Sequence, residues 1–414
     1  MQFFDSLWGR VCPNVRSEGI ATVAAGRRAR YRRRSRPFRP PEVPAMADRS
    51  PFSAFCPWFA GEPRARLYVR PLGLLPAGAG AEALPLAGGR SAFALAELIV
   101  RAPGRIERAV GSVTEAVAWA RGCGPTALDA LERRLAAVTR PRGAFGGVDI
   151  DRPAVMGIVN VTPDSFSDGG DFLDPARAIA HGQALLDAGA DILDVGGEST
   201  RPGAAPVPPE EEEGRILPVI RHFAAAGATV SVDTRHARVM ASALAAGAAI
   251  VNDVSGLTGD PDSLAVVAGA GAPVVLMHMQ GDPGTMQINP TYEDAALDVF
   301  DLLEERVEAC LGAGLALDRI AVDPGIGFGK TTEHNLHILR HTALYHGLGC
   351  AVLIGVSRKG FIGQLSRNEP ARQRAPGSIA IGQDCWSQGA QILRVHDVAE
   401  TVQARALWEA LHPR

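Results

Sequence analysis

Lysine is nearly missing from this chain of 414 residues: Lys330 and Lys359 are the only two among 42 basic residues. That bias singles out the two ammonium groups, because a compact hydrated point charge and a planar guanidinium fork do different chemistry. Cysteine is sparse as well. Cys12, Cys56, Cys123, Cys310, Cys350 and Cys385 are scattered with no C-x-x-C spacing, which argues against a zinc site or a disulfide frame and for thiols in a reducing compartment. No apolar run reaches the roughly 18 residues of a membrane span, since Pro, Gly, Arg or Glu interrupts every candidate. Net charge is also low, at −3. Residues 1–45, however, hold ten arginines against Asp5, Glu18 and Glu42, so they carry +7 and leave −10 on the remainder. An acidic body excludes nucleic-acid binding as the main business of the chain.

What is present is a globular composition, 46% hydrophobic. Residues 1–45 read as a basic leader, disordered or upstream of a true start at Met46. Residues 46–150 read as a small, separate N-terminal α+β extension for packing or dimerisation, with no chemical motif. Within it, 67–75 predicts a strand, and 91–102, 112–122 and 125–138 predict helices from apolar residues at i, i+3 and i+4. From residue 151 the pattern changes. Eight short β-branched runs begin near residues 155, 191, 229, 249, 273, 320, 351 and 392, with amphipathic stretches such as 175–190 and 293–314 between them. Alternating β and α in this order predicts a (β/α)8 TIM barrel over 151–414.

Each run starts apolar and ends polar, and barrel active sites lie at the C-terminal strand ends. The ends present Asn160, Glu198, Asp233, Asn252 with Asp253, His278, Asp323, Ser357-Arg358-Lys359, and Arg394 with His396. Arg394 and His396 are two apart, so they share a strand face and could clamp an anion. Asn160 suits a Mg2+ ion that keeps most of its waters and leans on substrate phosphates. Asp233, Asn252 and Asp323 offer the acceptors and amide that a flat heterocycle rich in N–H groups needs. Together they predict a phosphorylated heterocycle as ligand.

Two apparent motifs fail. GIGFGKT at 325–331 lacks the first Walker glycine, where Pro324 stands, and GVSRKG at 355–360 has its second glycine one residue late for a nucleophile elbow. His334, His337 and His341 share a helical face, which reads as packing and not as a metal site because no carboxylate completes the set.

The segments 156–170, 194–204, 231–234, 251–256, 277–281, 323–331, 355–363 and 393–398 together resemble dihydropteroate synthase, the pterin-binding family of folate biosynthesis. The resemblance spans 151–400, and extensions like 46–150 are similar to those on some bacterial members. It implies a transferase that joins dihydropterin diphosphate to 4-aminobenzoate and releases diphosphate. Asp233, Asn252 and Asp323 would hold the pterin and Lys359 would reach it, with Asp233, Asp323 and Lys359 as catalytic residues. Asn160 would hold Mg2+, and Arg394 with His396 the diphosphate. 4-Aminobenzoate would enter last, near Thr200, Pro202, Phe166 and Phe328, where sulfonamides would compete, and Arg201 would also bind substrate. A cytoplasmic homodimer is the family expectation. The rivals are a pterin-dependent methyltransferase domain, which leaves the 162–170 and 199–204 loops unexplained, and a non-catalytic pterin-binding paralogue, against which the full residue set stands.

Overall fold

A computed structural model describes residues 50–414 except 56–61, 63, 79, 81, 163–174, 200–205, 282–283 and 414. The leader expected at 1–45 and the loop residues Phe166, Thr200, Arg201 and Pro202 lie outside the described residues. All eight predicted runs are strands: Ala154–Asn160, Ile192–Gly196, Val230–Asp233, Ile250–Asp253, Val274–Met277, Ile320–Asp323, Ala351–Ile354 and Ile392–Val395. They pair in parallel, in chain order, and the eighth closes on the first. The result is a (β/α)8 barrel, with helices such as Pro175–Asp187 and Ala295–Gly312 on the crossovers.

The barrel is a packed core, not a pore. Met156, Ile192, Ile250, Val275, Ala321, Leu353 and Ile392 fill its lower interior together with Phe145. Phe145 arrives on a tight hairpin, Ala144–Phe145 against Val148–Asp149, whose Gly146 and Gly147 both have positive φ, as a two-residue primed turn requires. That plug closes the N-terminal end and leaves the C-terminal end for chemistry.

The extension corrects two expectations. The segment 91–102, predicted helical, is a short strand Ser91–Phe93 followed by a strand Leu95–Ala102. The latter is the middle of an antiparallel sheet, between Arg66–Leu72 and a strand at Arg105–Ser112 that the sequence did not announce. Its apolar residues are dense because both faces are covered. Ala96, Leu98 and Val100 pack with Trp119, Ala120 and Leu131 of the two predicted helices, observed at Val113–Cys123 and Pro125–Thr139, whereas Ile99 and Tyr68 join the barrel's own core. A strand buried on both faces cannot be told from a buried helix by periodicity alone. The extension is also not a separate unit, since Ser50–Arg414 forms one compact body. Tyr68 Oη donates to Asp301 at 2.7 Å, and Arg142 Nε to Cys350 O at 2.7 Å. Among the cysteines, Cys310, Cys350 and Cys385 are buried free thiols, but Cys123 is disulfide-bonded, which the scattered spacing did not foretell.

Candidate active site

Strand register brings the polar ends to one level. Gly196 pairs with Asn160 on one side and Asp233 on the other, Asp233 pairs with Asn252, and Asp323 closes the sixth strand opposite Met277. Two residues below Gly196, on the same face of its strand, Asp194 is fully buried. Asn252 Nδ2 donates to Asp194 Oδ2 at 3.0 Å, and Arg394 Nε donates to the same oxygen at 2.6 Å. From the opposite side of this group, Arg394 Nη2 donates to Asp233 Oδ2 at 2.6 Å. One guanidinium thus bridges two carboxylates, and the other Asp194 oxygen has no partner among the described residues.

The electrostatics follow from burial and from this sharing. Burial disfavours the Arg394 cation, but Asp194 and Asp233 outweigh it and hold the guanidinium protonated. Burial, helped by Asp194, Glu212 and Asp253, raises Asp233 above its ordinary value against the pull of Arg394. Burial raises Asp323 too, opposed by the Gly325 N–H, which donates to its Oδ1 at 2.7 Å, and by Lys359, Arg394 and Lys330. Lys359 is pushed down to about 8 by burial, with Asp323 resisting. Its Nζ lies 4.1 Å from the Phe328 ring centroid, a cation–π arrangement.

Arg394 and His396, expected to act as a joint clamp, turn to different partners. His396 Nδ1 lies 3.0 Å from Ser357 Oγ, which also accepts the His396 backbone N–H at 3.1 Å. That leaves the serine hydrogen for Nδ1 and places the imidazole proton on Nε2, an assignment made from the network. Burial, reinforced by Arg358 and Arg394, pushes His396 down to about 3, so the imidazole is neutral with its Nε2–H as a donor.

Three features escaped sequence reasoning. Asp194 carried a signal, a carboxylate inside the otherwise apolar strand Ile192–Gly196, since a buried charge demands a partner. Glu198, placed at the rim without a task, takes a bidentate pair from Arg235 at 2.8 and 3.0 Å and the Val207 N–H at 3.2 Å, tying the second strand's end to the third's. The histidine stripe does meet a carboxylate: His337 Nε2 lies 3.0 Å from Asp294 Oδ1, and the His337 and His341 rings stack. These contacts, a pair with a carboxylate and a ring stack, are those of a packed helix face.

Residues 156–396, well over half the chain, match the family described as pterin binding enzyme. The dihydropteroate synthase of Neisseria meningitidis serogroup C is 47% identical over 267 residues, spanning 64% of this chain and 94% of that one. The chain belongs to the dihydropteroate synthase family. Solved members of the family agree in fold. Xanthomonas albilineans dihydropteroate synthase with 4-aminobenzoic acid aligns with a TM-score of 0.61 at 48% identity, covering 64% of this chain and 96% of that one. The same organism's enzyme in complex with 7,8-dihydropteroate aligns at 0.59 and 45%, with the same coverage. The Yersinia pestis dihydropteroate synthase in a sulfonamide drug complex aligns at 0.61 and 46%, again with that coverage. As a member of this family the chain is a transferase.

Proposed function

We propose that this chain performs the dihydropteroate synthase reaction at the rim described above, joining dihydropterin diphosphate to 4-aminobenzoate. The observation that carries the reading is the bonded set Asp194, Asp233, Asn252 and Arg394 beside Asp323 and Lys359. It is a buried pocket floor of carboxylates and an amide under two cations, which fits a planar pterin whose ring N–H groups need acceptors. Asp233, Asn252 and Asp323 bind the ring edge, and Lys359 donates to it from the seventh strand. Asn160 is the residue that would hold Mg2+. The fit is one of donor chemistry: a single neutral oxygen, with no carboxylate cage, suits an ion that takes its other ligands from water and diphosphate oxygens. When bound, the ion supplies charge neutralisation on the diphosphate.

The C–O bond to diphosphate breaks with its electron pair on the leaving oxygen, and the aniline nitrogen forms a C–N bond at the methylene and loses a proton. Arg394 Nη1, without a partner among the described residues, and His396 Nε2–H are the donors that meet the departing anion. Asp233 and Asp323 stabilise the positive charge that the methylene and pterin share in the transition state. No covalent enzyme nucleophile is required. Thr200, Pro202, Phe166 and Phe328 are the residues assigned to 4-aminobenzoate and Arg201 to substrate binding, Phe328 being the one among the described residues. A cytoplasmic homodimer accompanies this reading. In support of the homodimer, Leu407 and Leu411 of the last helix are exposed.

The test is diphosphate release by purified protein given dihydropterin diphosphate, Mg2+ and 4-aminobenzoate. Release that depends on 4-aminobenzoate is expected and yields 7,8-dihydropteroate. Pterin binding without such release would favour the non-catalytic paralogue instead.

A further inference from the structure

The loop after the sixth strand, residues 324–331, lies flat on the segment 278–280. Gly325 and Gly329 have φ of 68° and 61°, and added Cβ atoms there would come within 1.9 Å of His278 O and 2.6 Å of Gln280 O, a closeness only glycine permits. Three successive carbonyls at the loop's tip are held by side chains. Gln287 Nε2 donates to Gly327 O at 2.7 Å, Lys330 Nζ to Phe328 O at 2.9 Å, and Tyr292 Oη to Gly329 O at 2.7 Å. Lys330 differs from the other two in having a second strong partner and in being buried. Its Nζ lies 2.9 Å from His278 Nδ1, and the residue is 3% exposed. His278 is neutral, pushed down to about 2 by burial with Lys330 adding to the effect, so its Nδ1 accepts.

We propose that Lys330 is a positioning residue for the second substrate: by tying the Phe328 carbonyl to His278 it sets the Phe328 ring against Lys359 and so shapes the wall that 4-aminobenzoate meets. The inference rests on the reading of Phe328 as part of that pocket. The loop has little room to shift, since a Cβ on Gly327 would sit 3.1 Å from Lys359 Cδ. A displaced tip therefore moves both the ring and the ammonium that packs on it. A tetrahedral amine reaches a ring nitrogen and a carbonyl at once inside a closed site, where a planar guanidinium is too wide. Such a site accounts for a lysine in a chain that otherwise uses arginine. The strut does not depend on charge. Burial lowers Lys330 to about 7, yet a neutral amine keeps two N–H donors for its two short contacts, the His278 carbonyl being a longer third at 3.4 Å.

Steady-state kinetics of the full chain, varying each substrate in turn, test this with Lys330→Met and Lys330→Arg. The KM for 4-aminobenzoate is expected to rise about tenfold in both, while kcat and the KM for dihydropterin diphosphate stay within about threefold. An unchanged KM for 4-aminobenzoate, or an equal rise in both KM values, overturns the proposal. If Lys330→Met does not fold, Lys330→Gln, which keeps one donor site, should show a smaller rise confined to 4-aminobenzoate, and no rise overturns the proposal. Wild-type chain without 4-aminobenzoate-dependent turnover overturns the synthase reading and the proposal with it, whereas normal wild-type turnover with unaltered variants sinks the proposal alone.

Discussion

Lys359 is a residue whose charge state is set by the site. Its ammonium is stripped of water by burial and retained by Asp323, which leaves it titrating at about 8. Because the folded value lies below that of a free lysine, the unfolded chain binds the extra proton between about pH 8 and 10.5. The buried charge therefore costs stability at neutral pH, and that cost is relieved as pH rises through this window. Function runs the other way: kcat/KM, which reports the free enzyme, should fall above about pH 8 as the cation is lost. Lys359→Arg, charged at every accessible pH, should remove that alkaline limb while running more slowly at pH 7. A limb that persists at pH 8 in Lys359→Arg would assign it to another group. Lys359 was legible in the sequence from the lysine deficit and the strand-end position. Asp194 was harder to see, because its function is set by Arg394 some 200 positions away. The separate bonding of Arg394 and His396 was invisible for a similar reason: two residues on one strand face share a direction, but their partners come from other strands.

At the scale of elements, the barrel and the extension differ in how much they disclose. Parallel strands buried on both faces make continuous apolar runs that end abruptly at the rim, so all eight were visible with boundaries within a few residues. The extension's central strand Leu95–Ala102 looked helical because its two covers, the extension's helices and the barrel, come from distant sequence. The observed packing makes a sharp prediction about this strand. Leu98, fully buried among the extension's helices, should cost about 2–5 kcal/mol when truncated to alanine. Leu95, 44% exposed at the strand's start, should cost under about 0.5 kcal/mol on the same change. Urea unfolding of the two variants measures the difference, and equal costs would contradict the packing. The loop 324–331 carries a related prediction. Gly325→Ala places a Cβ against His278 O with the backbone at φ 68°, so turnover should drop by at least about a hundredfold while far-UV circular dichroism stays native.

Residues 50–414 form one body because the extension's polar groups are spent on the barrel. Arg134 donates to Leu67 O at 2.9 Å within the extension and to Gly347 O at 3.2 Å, and it pairs with Glu304. Tyr68 packs edge-on against Phe300 with centroids 5.3 Å apart. Arg142 is the more buried of the two arginines, lowered to about 10 by burial, and it donates to Ala137 O, Cys350 O and His346 O at 3.0, 2.7 and 3.2 Å. The Cys350 and His346 carbonyls precede the seventh strand, at the end of the barrel opposite the rim, whereas Ala137 lies on the extension's helix Pro125–Thr139. Arg142→Ala strands several buried acceptors, each worth roughly 1–3 kcal/mol when left without a donor, and should lower stability by a few kcal/mol while leaving both KM values and kcat unchanged. A second consequence concerns cooperativity. Tyr68 and Ile99 lie inside the barrel's core cluster and Phe145 plugs its floor, so the cluster that residues 50–150 keep to themselves cannot melt without exposing apolar barrel surface. Calorimetry of the wild-type chain should show one unfolding transition, and Arg142→Ala should shift it without splitting it. Two resolved transitions, one insensitive to Arg142→Ala, would mean that the extension is an independent domain held to the barrel only at its surface.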